Sequence, residues 1–258
     1  MTLIDPRAII DPKARLADDV KVGPWSIIGP DVEIGAGTVI GPHVIIKGPT
    51  KIGCNNHFYQ FATVGEDTPD MKYKGELTRL VIGDRNIIRE GVTIHRGTIQ
   101  DRSETTIGND NLIMAYAHVG HDCVISNHVI MVNNSGVAGH CYVGDWAILG
   151  GYALVHQHCH IGAYSFLGAA SYISRDVPAF VLVAGNPAQA RSMNFEGLHR
   201  KGFSEEVMHA LRVAYKIVYR KGLIVEQAIE ELVELANQYP EVALFRDTII
   251  SSKRGITR

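Results

Sequence analysis

The chain has 258 residues, with 25 Lys and Arg against 27 Asp and Glu, and its net charge of −2 excludes nucleic-acid binding driven by bulk charge. A composition of 46% apolar and 20% charged residues suits one large or two modest globular domains. No apolar run approaches the roughly 20 residues that span a bilayer, and residues 1–11 hold acids and a proline where a signal peptide needs an apolar stretch, so a cytoplasmic protein is expected.

From the N-terminus, Ile10, Leu16, Val22, Ile28, Ile34, Ile40, Ile46 and Ile52 are aliphatics six residues apart. Neither a helix nor a flat sheet has that period; a chain that turns a corner every six residues does. Three sides close a coil of eighteen, so the predicted fold is mainly β, a left-handed parallel β-helix of hexapeptide repeats. Glycines after the aliphatic (Gly23, Gly29, Gly35, Gly41, Gly53) are expected at corners that need a positive φ or close backbone approach. The beat stops at residues 66–80, a loop rich in charge and turn residues, and resumes in phase at Ile82, Ile88 and Ile94. It breaks again at 97–106, where the step from 94 to 107 equals one hexad plus seven inserted residues. It then runs from Ile107 to Ile173. Solenoids tolerate such insertions on one face, often the binding face.

Cys123, Cys141 and Cys159 stand eighteen apart in the fifth place of their hexads, elsewhere held by Ala117, Ser135, Ala147 and Ala153. That place predicts an inward slot for small side chains, with the cysteines packed as small hydrophobes. The beat ends near Asp176, and an extended connector is expected through Val183–Pro187. Ser204 before Glu205 and Glu206 predicts an N-cap, followed by helical spacing at Val207, Leu211, Ala214, Tyr215 and Val218. A second helix is expected over Val225, Ala228, Ile229, Leu232 and Leu235, and a third from Pro240. The chain therefore divides into a β-helix over 1–186, with loops at 66–80 and 97–106, and a small C-terminal helical domain over 187–258. The tail is net +2 and the rest net −4, a balance that suits docking of an acidic partner.

Eight of the twelve histidines fall between His95 and His160, none at an inward place. Steps of eighteen stack His121, Gly139 and Gln157 in one column, Asp122, His140 and His158 beside it, and Gly120, Ala138 and His156 on the other side. With seven residues inserted, His95 comes over Gly120. Two chemistries fit this patch. A neutral imidazole, His121, could act as general base, oriented by Asp122, with the Gly139 N–H facing a developing oxyanion. Alternatively, three histidines could hold a zinc ion with an open position.

The runs Ile94-His95-Arg96-Gly97-Thr98 and Asn111 through Cys123, the pairs Gly139-His140 and His156-Gln157, and Asn194-Phe195-Glu196-Gly197-Leu198 with Arg200-Lys201-Gly202-Phe203 resemble the acyl-carrier-protein-dependent UDP-N-acetylglucosamine O-acyltransferases of lipid A biosynthesis. The resemblance covers the whole chain. It implies transfer of an (R)-3-hydroxyacyl chain from acyl carrier protein to the glucosamine 3-hydroxyl of UDP-N-acetylglucosamine. His121 would be the base, Asp122 its orienting partner and Gly139 the oxyanion donor. His95, His118, His140, His156, Gln157, Asp70, Lys72, Asn194, Glu196 and Arg200 would bind substrate. Ala169 would sit where acyl length is limited, its small side chain favouring a longer chain. Pro187 holds a second such position. The resemblance also implies a homotrimer with shared sites, a carrier protein met by the basic tail, no covalent acyl-enzyme, and no metal or cofactor. The competing expectations are a zinc-dependent hydratase using His95, His118 or His140, an acyltransferase for another amino-sugar nucleotide, and a non-catalytic scaffold.

Overall fold

The computed structural model describes residues 3–258, and its strands are mostly two residues long and lie in three sheets of nine, eight and ten strands. Successive strands join different sheets and every third strand pairs with its predecessor in parallel, so the chain coils around three walls. The pairing Ile10↔Ile28↔Ile46↔Val64 repeats at eighteen residues. Ile52↔Ile82 is thirty apart, so the first insertion adds twelve residues, two hexads, and keeps phase. Ile94↔Val119 is twenty-five apart, which gives the second insertion its seven. On-beat side chains from Val22 to Ile173 are all 3% exposed or less. Removing this continuous stack from water is the main force holding the coil, because two-residue strands supply few ladder bonds each.

Of the two roles expected for the corner glycines, close approach is the one observed. Gly23 is needed for close approach, since a Cβ there would lie 2.8 Å from the Gly41 carbonyl carbon. The positive φ falls two residues later, on non-glycines such as Trp25, Asp31, Asp122, His140 and His158. At corners such as His140 and His158 the left-handed conformation is held by an amide paired between coils, as in His140 N–H to His121 O at 2.9 Å. Their rings also stack coil on coil, His128 on Trp146 at 3.8 Å and His140 on His158 at 4.3 Å. The fifth place is inward, with Cys123, Cys141 and Cys159 buried, but it is roomier than its small residues suggest. It also takes Val44, Val92 and Val129, and a buried ladder of Asn56, Asn86 and Asn111 whose side-chain amides bond one another and the next coil's backbone.

The expected extended connector is an antiparallel hairpin. Val181–Gly185 adds to the ten-stranded sheet in parallel, and Ala188–Met193 pairs back on it, with Gly185 opposite Ala188 across the expected division at 186/187. Five helices follow: α1 (Phe195–Arg200), α2 (Glu205–Arg220), α3 (Val225–Glu231), α4 (Val233–Gln238) and α5 (Pro240–Ile250). Ser204 caps α2, its side chain accepting from Val207 N–H. The expected second helix is broken at buried Leu232, whose N–H is shared between the Ala228 and Ile229 carbonyls. Helix α2 packs on the Ala188–Met193 edge strand, and Thr257 N–H returns to Asp176 O at 2.7 Å, so the tail covers the sheet's open edge.

Candidate functional site

The corner after the strand His118–Val119 carries His121 and Asp122, and the same corner one coil on carries Gly139 and His140. Asp122 is in the left-handed conformation, φ 58°, with its carboxylate buried. His121 Nδ1 lies 2.9 Å from Asp122 Oδ2, which assigns the proton to Nδ1 and leaves Nε2 as the free acceptor. Gly139 lies directly beneath the ring: a Cβ there would stand 2.5 Å from His121 Nε2. Among the described residues the Gly139 N–H has no protein acceptor.

His140 meets His121 edge-on, ring centroids 4.7 Å apart, and its Nδ1 lies 2.7 Å from Asp101 Oδ2 and 3.8 Å from Asp122 Oδ2. Thr93 stands opposite His118 in the parallel ladder, and the His95 ring packs against His118 at 5.3 Å. His118 is hydrogen-bonded to Thr93 Oγ1 at 2.8 Å. Burial first, then the neighbouring His95 and His121, pushes its pKa down to about 4. Burial also lowers His95 and His158. For Asp122, burial alone would raise the carboxyl, but hydrogen bonds from His121 and Thr98 outweigh it and hold the group below the usual carboxylate value. Beside these imidazoles runs an open groove of about 460 Å³ lined by Tyr116, His118, Gly136, Leu154, His156 and Tyr172. Gln157 is exposed at its edge.

The other candidates stand apart from this patch. Asp70 and Lys72 lie in the first insertion, where Asp70 Oδ1 accepts from Lys72 N–H at 2.9 Å. Asn194 is the α1 N-cap, and its amide also donates to Tyr164 O at 3.0 Å, so both ends of its side chain are engaged. Glu196 and Arg200 form an exposed ion pair at 2.9 Å on α1. Ala169 is exposed at a corner. The ligand set expected for a metal, His95, His118 or His140, is not one cluster. The three groups whose ligand atoms come within 4.8 Å of one another are His121, Asp122 and His140.

Four residues of this site were not candidates from sequence. Thr98 donates its amide and hydroxyl to Asp122, and Thr105 Oγ1 accepts from the Asp122 N–H at 2.8 Å. Asp101 pairs with His140. Buried Arg96, just before the second insertion, holds the first through Asp67 and the Tyr73 hydroxyl at 3.2 Å, and also bonds Gly65 O. The slip of phase at the second break was the one signal that this segment is special.

Comparison with known proteins agrees with this architecture. Residues 176–257 match the family described as UDP-N-acetylglucosamine O-acyltransferase, domain 2, and residues 13–48 and 104–139 match the bacterial transferase hexapeptide repeat. The chain is 74% identical over 258 residues, all of both chains, to the acyl-[acyl-carrier-protein]–UDP-N-acetylglucosamine O-acyltransferase of Stutzerimonas stutzeri. It belongs to that family. The UDP-N-acetylglucosamine O-acyltransferase structure from Moraxella catarrhalis covers 99% of this chain and 100% of its own at 49% identity, TM-score 0.97. That of Acinetobacter baumannii covers the same shares at 50% identity, TM-score 0.97. The chain is therefore an acyltransferase, and among its described residues no helix is long and apolar enough to cross a membrane.

Proposed function

We propose that this acyltransferase moves an (R)-3-hydroxyacyl group from the thioester of acyl carrier protein to the glucosamine 3-hydroxyl of UDP-N-acetylglucosamine, the first step of lipid A biosynthesis, in the cytoplasm. The observation that carries the reading is His121 with Nδ1 tied to Asp122 and Nε2 free. Nε2 takes the proton of the acceptor hydroxyl as its oxygen bonds to the thioester carbonyl carbon. The Gly139 N–H then faces the oxyanion. The C–S bond breaks, and the imidazolium returns the proton to the leaving thiolate. Asp122 stabilises the imidazolium, and no acyl-enzyme forms. His118, neutral because of its lowered pKa, can serve as a hydrogen-bonding wall without competing for the proton. His95, His140, His156 and Gln157 complete the substrate surface, Asp70, Lys72, Asn194, Glu196 and Arg200 meet the sugar nucleotide, and Ala169 leaves room for a longer acyl chain.

We further infer a left-handed coil, a division at 186/187, and a homotrimer. The outward residues Ile87, Leu112, Ile130, Ile148, Phe166 and Leu182 form one apolar line on the ten-stranded sheet, and a neighbouring copy would cover it. The open groove and the exposed Lys72 suit a site completed by that copy, with the basic tail turned to the acidic carrier protein. Mass spectrometry of the product from UDP-N-acetylglucosamine and a set of hydroxyacyl-loaded carrier proteins tests acceptor, donor and length together. His121→Ala is expected to lower kcat by roughly three orders of magnitude or more with an unchanged melting curve. Full activity in that variant would end the general-base role.

A further inference from the structure

Asp122 Oδ2 has two imidazoles within reach, His121 Nδ1 at 2.9 Å and His140 Nδ1 at 3.8 Å. Corner geometry alone does not choose between them, since both rings lie over the same wall and touch each other. The choice is made by the seven-residue insertion. Thr98, 1% exposed, donates its amide to both carboxylate oxygens at 2.9 and 3.0 Å and its hydroxyl to Oδ2 at 2.6 Å. Donors on both oxygens fix the carboxylate plane, so it cannot swing toward His140. Three residues on, Asp101 takes His140 Nδ1 at 2.7 Å and so occupies the competing imidazole.

We propose that Thr98 is a positioning residue for the acyl transfer, and that the insertion, through Thr98 and Asp101, selects His121 over His140 as the partner of Asp122. This rests on His121 being the general base. The two Thr98 donors also share the carboxylate's charge. Without the hydroxyl, the carboxylate loses one of the donors that hold its plane, and its hold on His121 Nδ1 loosens.

The variant Thr98→Val keeps the volume and the amide while removing the hydroxyl. Its kcat is expected to fall roughly ten- to hundredfold, because one charge-assisted hydrogen bond orients the base, with KM for UDP-N-acetylglucosamine little changed. Thr98→Ser restores kcat. If the valine variant does not fold, Thr98→Ala is read the same way against Thr98→Ser. His121→Ala is assayed alongside. If it is inactive while Thr98→Val keeps the wild-type kcat, the positioning role is overturned. If His121→Ala is itself active, it is the general-base reading that fails.

Discussion

The two insertions differ in how they use their length. The first, twelve residues, keeps the coil in phase and leaves it: Met71 and Leu77 are 100% and 83% exposed, and it is tied to the body by Arg96 and by the Lys47–Glu66 ion pair. The second, seven residues, shifts the phase and folds back, burying Thr98 against Asp122 and placing Asp101 on His140. Asp122, the carboxylate proposed to orient the base, is thus locked by several bonds. Of those proposed to recognise the sugar nucleotide, Asn194 is buried and tied to Tyr164 O, whereas Asp70, Lys72, Glu196 and Arg200 lie at the surface, bonded to near neighbours. Preorganisation is concentrated where charge moves, and mutations in the two regions should have different signatures.

The contrast is broken most severely at Gly139. A Cβ there meets the His121 ring at 2.5 Å and must displace it. Gly139→Ala is therefore expected to lower kcat by roughly a hundredfold, since misplacement by about 1 Å costs that much, while circular dichroism keeps the β signature. Arg96→Met tests the first insertion's tie. It removes the donors to Gly65 O, Asp67 and Tyr73 and is expected to cost about 2–3 kcal/mol in denaturant unfolding. Hydrogen exchange of residues 67–78 should rise more than that of 97–103. Equal changes in both loops would show that they open as one unit.

A pH titration of stability sharpens the comparison further. The folded pKa of His118, about 4, is below the ordinary 6.5, so the unfolded chain binds the extra proton first. Stability is full above pH 6.5 and is lost as pH falls from 6.5 toward 4, by up to about 3 kcal/mol. His118→Gln should flatten that slope in urea melts at pH 4.5 against pH 7. The smallest expected effect is at the recognition surface. Glu196→Ala breaks an ion pair whose side chains are about three-quarters exposed, so stability should change by less than about 0.5 kcal/mol. On the proposed reading KM for UDP-N-acetylglucosamine rises while kcat holds. A fall in kcat alone would place Glu196 with the chemistry instead.

Much of this protein could be read from order alone, because a coil with constant rise converts spacing into position. The period of six predicted the inward aliphatics, the inward cysteines, and the stacking of His121 on Gly139 and of Asp122 on His140 and His158. The count of thirteen across the second break predicted the arrival of His95. Ser204 announced the α2 cap locally, through its side chain and the acids after it. What periodicity could not carry were contacts made outside the repeat. Thr98 reaches Asp122 across twenty-four positions and Asp101 reaches His140 across thirty-nine, both from a segment with no beat to index it. The hairpin at Gly185 depended on a free sheet edge, the break at Leu232 on burial among helices, and the left-handed corners of His140 and Asp122 on amides paired to the preceding coil. Each is decided by partners distant in sequence, so only the assembled chain fixes which imidazole holds the carboxylate and which is held away from it.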